Sequence, residues 1–307
     1  LTYVFFLIGL AGLFLGGELL VRGAVGVARR LDVPPLVIGL TIVGFGTSTP
    51  ELLVALRAAL EGVPALALGN VIGSNIANIL LILGVAALIA PVPLRFGDLS
   101  RDFMVVIGAT VIFWAMLGGG VVSRGEGVLL FLGLMAYLAA CFRSAAGSAP
   151  PGPDKGPPPL LGKSLALAAA GLIAVVIGAG LLVDSASEIA RSLGVSEAVI
   201  GLSIVAVGTS LPELATSVMA AMRGHPEISV GNILGSCVFN IFGIIGITAM
   251  VTPVPVDPRF AGLDMTLALA SALTMFGFAV LPERVSRVGG LGLLTAYCGY
   301  MALLGPA

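Results

Sequence analysis

The sequence predicts an all-α polytopic membrane protein, ten transmembrane helices arranged as two inverted five-helix repeats. Three observations carry that prediction: a composition too apolar for water, ten hydrophobic runs of membrane-spanning length, and a duplicated set of polar motifs five runs apart. Of 307 residues only 10% are charged, 58% are hydrophobic and 43 are glycine, whereas soluble domains carry about 25% charged residues. Mean hydropathy is +1.13. Such a chain cannot clothe a water-soluble fold in polar surface, which excludes a cytosolic enzyme and a disordered chain. Fifteen basic and sixteen acidic side chains give a formal charge of −1, so no basic field exists to hold nucleic acid.

A bilayer core takes about 20 apolar helical residues to cross. Runs of that kind lie near 3–27, 35–59, 65–90, 103–119, 121–142, 160–183, 196–221, 227–251, 262–281 and 287–304. The first begins at once with no basic stretch ahead of it, and reads as a span rather than a cleavable signal; Leu1 in place of Met predicts a trimmed N-terminus. The six prolines between Ser144 and Pro159 forbid helix and strand there, so residues 144–159 form a linker between a first unit, 1–143, and a second, 160–307. Loops on the linker's side hold ten basic residues (Arg29, Arg30, Arg95, Arg101, Arg143, Lys155, Lys163, Arg223, Arg284 and Arg287), against Arg57, Arg124, Arg191 and Arg259 on the other. The bias predicts a multi-pass protein of the inner (plasma) membrane with a cytoplasmic linker and both termini external.

Residues 39–93 align without a gap onto 201–255. Gly46-Thr47-Ser48-Thr49-Pro50-Glu51 matches Gly208-Thr209-Ser210-Leu211-Pro212-Glu213, and Gly69-Asn70-Val71-Ile72-Gly73-Ser74 matches Gly231-Asn232-Ile233-Leu234-Gly235-Ser236, at a constant offset of 213 − 51 = 162. Asn78-Ile79 matches Asn240-Ile241. The identities fall on Gly, Pro, Ser, Thr, Asn and Glu, which shared hydrophobicity cannot produce. Because five is odd, the copies enter the bilayer from opposite sides, an arrangement that in transporters places the site at the midplane beside interrupted helices. Breaks are expected in mid-span at both GTSxPE motifs and again from each GNxxGS motif, where freed carbonyls become cation ligands.

Glu51 and Glu213 lie in mid-span without a Lys or Arg at comparable depth. A lone intramembrane carboxylate costs about 2.5–3.5 kcal/mol on insertion scales, and two facing each other repel. The bland alternative is that both are protonated or bonded to hydroxyls. The sharper reading supplies the missing counter-charge as a bound cation, and two carboxylates balance one divalent ion. Oxygen donors come from Thr47, Ser48, Thr209, Ser210, Ser74, Ser236, Asn70, Asn78, Asn232 and Asn240, and an all-oxygen set favours a hard ion such as Ca2+. For Asn70, Asn232, Ser48 and Ser210 the alternative role is helix-packing glue. Glu18, Asp102, Asp184 and Asp264 read as structural: Glu18 and Asp184 could pair with Arg22 or Arg191, and Asp102 and Asp264 sit at helix N-termini. His225, the only histidine, falls in a turn, and Cys141, Cys237 and Cys298 have no metal-ligand spacing.

The paired GTSTPE and GTSLPE, followed by GNVIGSNIANI and GNILGSCVFNI, resemble the two alpha-repeats of the cation/calcium exchanger superfamily, and within it the prokaryotic sodium/calcium exchanger branch. The resemblance implies a secondary active antiporter, not an enzyme, exchanging Na+ for Ca2+ by alternating access. Ca2+ and Na+ enter as transported substrates, with no organic cofactor and no obligatory protein partner beyond the lipid bilayer. It further implies that Glu51 and Glu213 share the Ca2+, with Thr47 and Thr209 completing its shell. Flanking Na+ sites would use Ser48, Ser74 and Glu51 on one side and Ser210, Ser236 and Glu213 on the other. The carbonyls of Gly44 and Ala206 match Na+-binding positions, and Asn78 and Asn240 border a middle position. Asn240, where potassium-dependent members carry Asp, argues against potassium coupling. Cys237, which takes the place of Asn75, is not expected to be a ligand. The nearest alternative is an H+/Ca2+ antiporter of the same superfamily. An intramembrane protease lacks its Ser–His or Asp–Asp pair, and a passive channel suits a tight divalent site poorly. The glycines of the first and sixth spans (Gly9, Gly12, Gly16 and Gly17; Gly171, Gly178 and Gly180) would let two helices slide over the core.

Overall fold

The computed structural model describes residues 1–146, 159–194 and 206–303. Most of the expected linker, the first part of the seventh apolar run and Gly201-Leu202 of the repeat lie outside the described residues. The regular structure of the described residues is helical apart from four two-residue strands. In order the elements are α1 (Thr2–Leu31), α2 (Pro35–Thr47), α3 (Thr49–Leu60), α4 (Pro64–Ile89), β1 (Val92–Pro93), α5 (Phe96–Leu117), β2 (Val121–Val122) and α6 (Arg124–Ala146). Then come α7 (Leu161–Ser192), α8 (Ala206–Gly208), α9 (Leu211–Met222), α10 (Pro226–Val251), β3 (Val254–Pro255), α11 (Phe260–Val280), β4 (Arg284–Val285) and α12 (Arg287–Leu303). Seven of these helices are long and apolar enough to cross a membrane, and the bent pair α2–α3 makes an eighth; α9 is shorter, with 12 residues.

The GTSxPE motifs interrupt helices as expected. Pro50 has no N–H to donate and its ring crowds the preceding turn, so the chain bends by 42° between α2 and α3. Ser48, at φ −85° and ψ 6°, caps the restarted helix, and Ser210, at φ −90° and ψ 4°, does the same for α9. The GNxxGS motifs behave otherwise than expected. Gly69 to Ser74 and Gly231 to Ser236 lie inside unbroken α-helix. In the second copy the glycines serve close packing rather than a break, for a Cβ on Gly235 would sit 2.3 Å from the Leu40 carbonyl oxygen, whereas Gly73 in the first copy has open space around it. The helices loosen only afterwards, into π-helical turns at Asn78–Ile82 and Phe239–Ile245, each carrying one of the asparagines Asn78 and Asn240. Wide turns of this kind recur at functional sites because they re-aim side chains within a continuous helix.

The long helices α1 and α7 lie against each other over most of their length, glycine to backbone. A Cβ on Gly171 would meet Leu20 N at 2.3 Å, and one on Gly9 would meet Leu182 N at 2.7 Å. Gly180, by contrast, faces open space. Helix α7 runs to Ser192, nine residues past the apolar run that marks it in the sequence, so Asp184 and Glu188 are helical. The remaining elements enclose the main apolar core, centred on Ile76, Phe103, Phe113, Ile233 and Ile244.

The strands tie the two halves together. Val92 pairs with Val285 and Pro93 with Arg284; Val121 pairs with Pro255 and Val122 with Val254, all antiparallel. Each half thus lends a strand to the other half's end of the molecule.

Three of the four secondary acids, Glu18, Asp102 and Asp264, settle as structural, with one change of place. Asp102 lies in the second turn of α5 rather than at its start. It is buried and held by Arg101 at 2.8 Å and by the Tyr137 hydroxyl at 3.0 Å. Asp264 faces Arg259 at 3.3 Å. Glu18 is paired with both Arg22 and Arg223. Asp184 has no ion pair among the described residues.

Candidate ion-binding site

Two restarted helices, α3 and α9, place a glutamate in their first turns. The positive end of a helix dipole favours a carboxylate there. Glu51 and Glu213 are each 1% exposed. Lateral clamps fix them. Asn70 donates to the Glu51 carbonyl at 3.3 Å, and Asn232, its counterpart, donates to the Glu213 carbonyl at 3.2 Å and to the Ser217 hydroxyl at 2.9 Å.

The two halves interleave. Ser48 donates to Glu213 Oε1 at 2.8 Å, Thr47 to Asn232 Oδ1 at 3.1 Å, and Thr209 to Asn70 Oδ1 at 3.5 Å. Ser236 donates to the Gly44 carbonyl at 3.1 Å. These hydrogen bonds run across the halves, unlike the expected ion-site grouping of each half's serines with its own glutamate. Ser48 belongs with Glu213 and Ser236 with Gly44, because α2 lies against α10 closely enough that Gly39 and Gly231 leave no room for a Cβ.

Burial is the common feature of the other expected residues. Thr47, Ser48, Ser74, Ser210, Ser236, Asn78 and Asn240 are buried, Gly44 is buried, and Thr209 is half-buried. Ala206 opens α8, one turn or less before Thr209. Asn75 escaped the sequence reading, since Cys237 breaks the repeat there. It accepts from Asn240 Nδ2 at 2.9 Å and donates to the Cys237 carbonyl at 3.4 Å, which holds Asn240 in place. His225 is half-buried, its Nδ1 3.3 Å from Glu227 Oε1.

Counting acceptors shows what the site lacks. Among the described residues ten buried side-chain polar atoms have no hydrogen-bond partner, and five of them belong to expected site residues: Glu51 Oε2, Glu213 Oε2, Asn78 Oδ1, Asn240 Oδ1 and the Ser210 hydroxyl. Buried polar groups are otherwise satisfied, and each orphan costs about 1–3 kcal/mol, more if charged. Four of the five can only accept. A positive charge satisfies such a set, and its composition of two carboxylate oxygens, two amide oxygens and a hydroxyl is that of a hard-cation site. Among the described residues no group of three or more His, Cys, Asp or Glu side chains could hold a transition metal.

Known proteins resemble this one over nearly the whole chain. The model of the sodium/calcium exchanger protein family matches residues 1–143 and 163–305. The putative antiporter CaxA of Alkalimonas amylolytica is 35% identical, with 98% of each chain aligned. The sodium/calcium exchanger MaX1 of Methanosarcina acetivorans is 30% identical over 99% of this chain and 98% of its own. Among solved structures, the sodium-calcium exchanger NCX_Mj superposes with a TM-score of 0.85 at 33% identity, covering 98% of this chain and 97% of that one. Two halves matched by one family model, and relatives matched from end to end, identify this multi-pass membrane protein as a member of the sodium/calcium exchanger family of transporters.

Proposed function

We propose that the chain is a secondary active antiporter that exchanges Na+ for Ca2+, the two ions competing for one midplane site built on Glu51 and Glu213. The observation that carries this reading is the set of five buried polar atoms without a hydrogen bond, two of them the carboxylate oxygens of Glu51 and Glu213. One Ca2+ between Glu51 and Glu213, with oxygens from Thr47 and Thr209, neutralises the pair. Na+ ions at flanking positions use the hydroxyls of Ser48, Ser74, Ser210 and Ser236 and the carbonyls of Gly44 and Ala206. Asn78 and Asn240 face the middle. Because Asn240 is neutral, the site carries two charges rather than three.

The architecture proposed for this activity is ten spans in two inverted units, 1–143 and 160–307, joined by the proline-rich stretch 144–159. The linker is cytoplasmic, both termini are external, and the protein resides in the plasma membrane. The reciprocal strand pairs and the matching breaks at Ser48 and Ser210 support a two-fold relation between the units. Exchange follows from electrostatics. An ion-free site leaves two carboxylates repelling in low dielectric, so only ion-loaded forms reorient, and Na+ entering down its gradient drives Ca2+ the other way. Helices α1 and α7, packed backbone to backbone through glycines, form a smooth body able to slide across the fixed site.

The test is Ca2+ flux into proteoliposomes under an imposed Na+ gradient with a protonophore present. Na+-driven flux is expected. Flux driven only by a pH gradient would replace Na+ with H+ as the coupling ion, and no gradient-driven Ca2+ movement would overturn the reading.

A further inference from the structure

A cavity of about 290 Å3 opens beside α7 and reaches the ion site, lined by Pro50, Val183, Asp184, Gly208, Thr209 and Pro212. It differs from its counterpart in the other half. Extended backward, the 162-residue offset pairs Asp184 with Arg22, Gly180 with Glu18 and Thr209 with Thr47. On the counterpart side Glu18 bridges Arg22 and Arg223, which joins α1 to the end of α9, and Thr47 is 0% exposed. On the cavity side Gly180 leaves the wall bare, Asp184 is exposed and Thr209 is half-buried. Glu188, one turn further along α7, is tied to α1 by the Thr2 hydroxyl at 2.9 Å, whereas Asp184 has no hydrogen bond or ion pair among the described residues.

We propose that Asp184 is the capture residue for cations entering from the outer face: a lone carboxylate at the mouth of the cavity that ends at Thr209. The ligand it takes is a hydrated hard cation, Ca2+ before Na+, since a divalent ion gains twice the energy in the same field. It acts by raising the local cation concentration ahead of the site, as charged clefts do, and holds no ion through the transport step. The proposal rests on the antiporter reading and on its orientation.

The experiment uses the full chain in proteoliposomes of known sidedness, with Na+-driven Ca2+ flux measured from each face. In Asp184→Asn, half-saturating Ca2+ on the Asp184 face should rise about three- to five-fold at low ionic strength and less than two-fold at high salt, where the Debye length falls to about 3 Å at 1 M. The maximal rate and the value at the opposite face should not change. A second variant protects the test against misfolding: Asp184→Cys with Cys298→Ser, which removes the exposed native thiol and leaves the buried Cys141 and Cys237. An impermeant anionic thiol reagent should restore the wild-type value, and a cationic one should raise it further. Equal shifts on both faces, an effect insensitive to salt, or no difference between the two reagents would overturn the proposal. If wild type shows no Na+-driven flux, the antiporter reading fails; if it does and both variants behave as wild type, only the role of Asp184 falls.

Discussion

Replacing Glu213 by glutamine keeps the shape of the side chain and removes one of two charges. The Ser48 hydroxyl still has an oxygen to donate to, so the local fold should persist. The loss of affinity can be worked out. With a separation of about 4 Å and an effective dielectric of about 20, a pair of unit charges interacts by about 4 kcal/mol. A divalent ion therefore loses about 8 kcal/mol of attraction, while relief of the repulsion between Glu51 and Glu213 in the ion-free protein returns about 4. The net is about 4 kcal/mol, or roughly 10³-fold weaker Ca2+ binding. A monovalent ion loses only about what the relief returns, so Na+ binding changes little and the preference for Ca2+ collapses. Calorimetric titration of purified Glu213→Gln with Ca2+ and with Na+ checks both numbers, and the thermal midpoint in ion-free buffer should match wild type or exceed it, because a buried unpaired charge has gone. Ca2+ binding within three-fold of wild type in a folded variant would refute the shared-carboxylate site.

Ser48→Ala removes the donor to Glu213, so the ion-free protein should lose about 1.5–3 kcal/mol, seen as a lower thermal midpoint in chelator, with saturating Ca2+ narrowing the gap. Gly171→Ala drives a methyl to within 2.3 Å of Leu20 N; overpacking of about 1–3 kcal/mol should lower both the midpoint in detergent and the transport rate, while Gly162→Ala, with open space around it, should do neither. Tyr137→Phe breaks the bond to Asp102 and should cost about 1.5–3 kcal/mol of stability without moving half-saturating Ca2+, which separates a structural acid from a transport one.

Much of the site was legible because duplication wrote it twice. Glu51 and Glu213 stand out as charges where lipid forbids them, and their prolines announce the helix restarts that position them. Single-copy features were harder to read. Asn75 is not counted with the site residues in the sequence because Cys237 spoils the match, although the asparagine bridges to Asn240. The pairing of Ser48 with Glu213 instead of Glu51 could not be read from spacing, since it depends on how two helices interleave through Gly39, Gly231 and Gly235. Glycine misled in GNxxGS for a related reason: the same residue that ends a helix in a loop lets a neighbour approach when it lies inside one. The end of α7 was misplaced because apolarity stops where the helix leaves the hydrocarbon, whereas its backbone hydrogen bonds continue to Ser192.

The crossed strand pairs bear on how the polypeptide is made. A nascent chain that has released only its first 143 residues holds Val92-Pro93 and Val121-Val122 without partners, since both ladders are completed from positions 254–255 and 284–285. Nor can it cover the glycine seam of α1, which waits for α7. The first half must therefore wait in the bilayer incompletely assembled until the ribosome has nearly finished, and quality-control proteases have that interval in which to act.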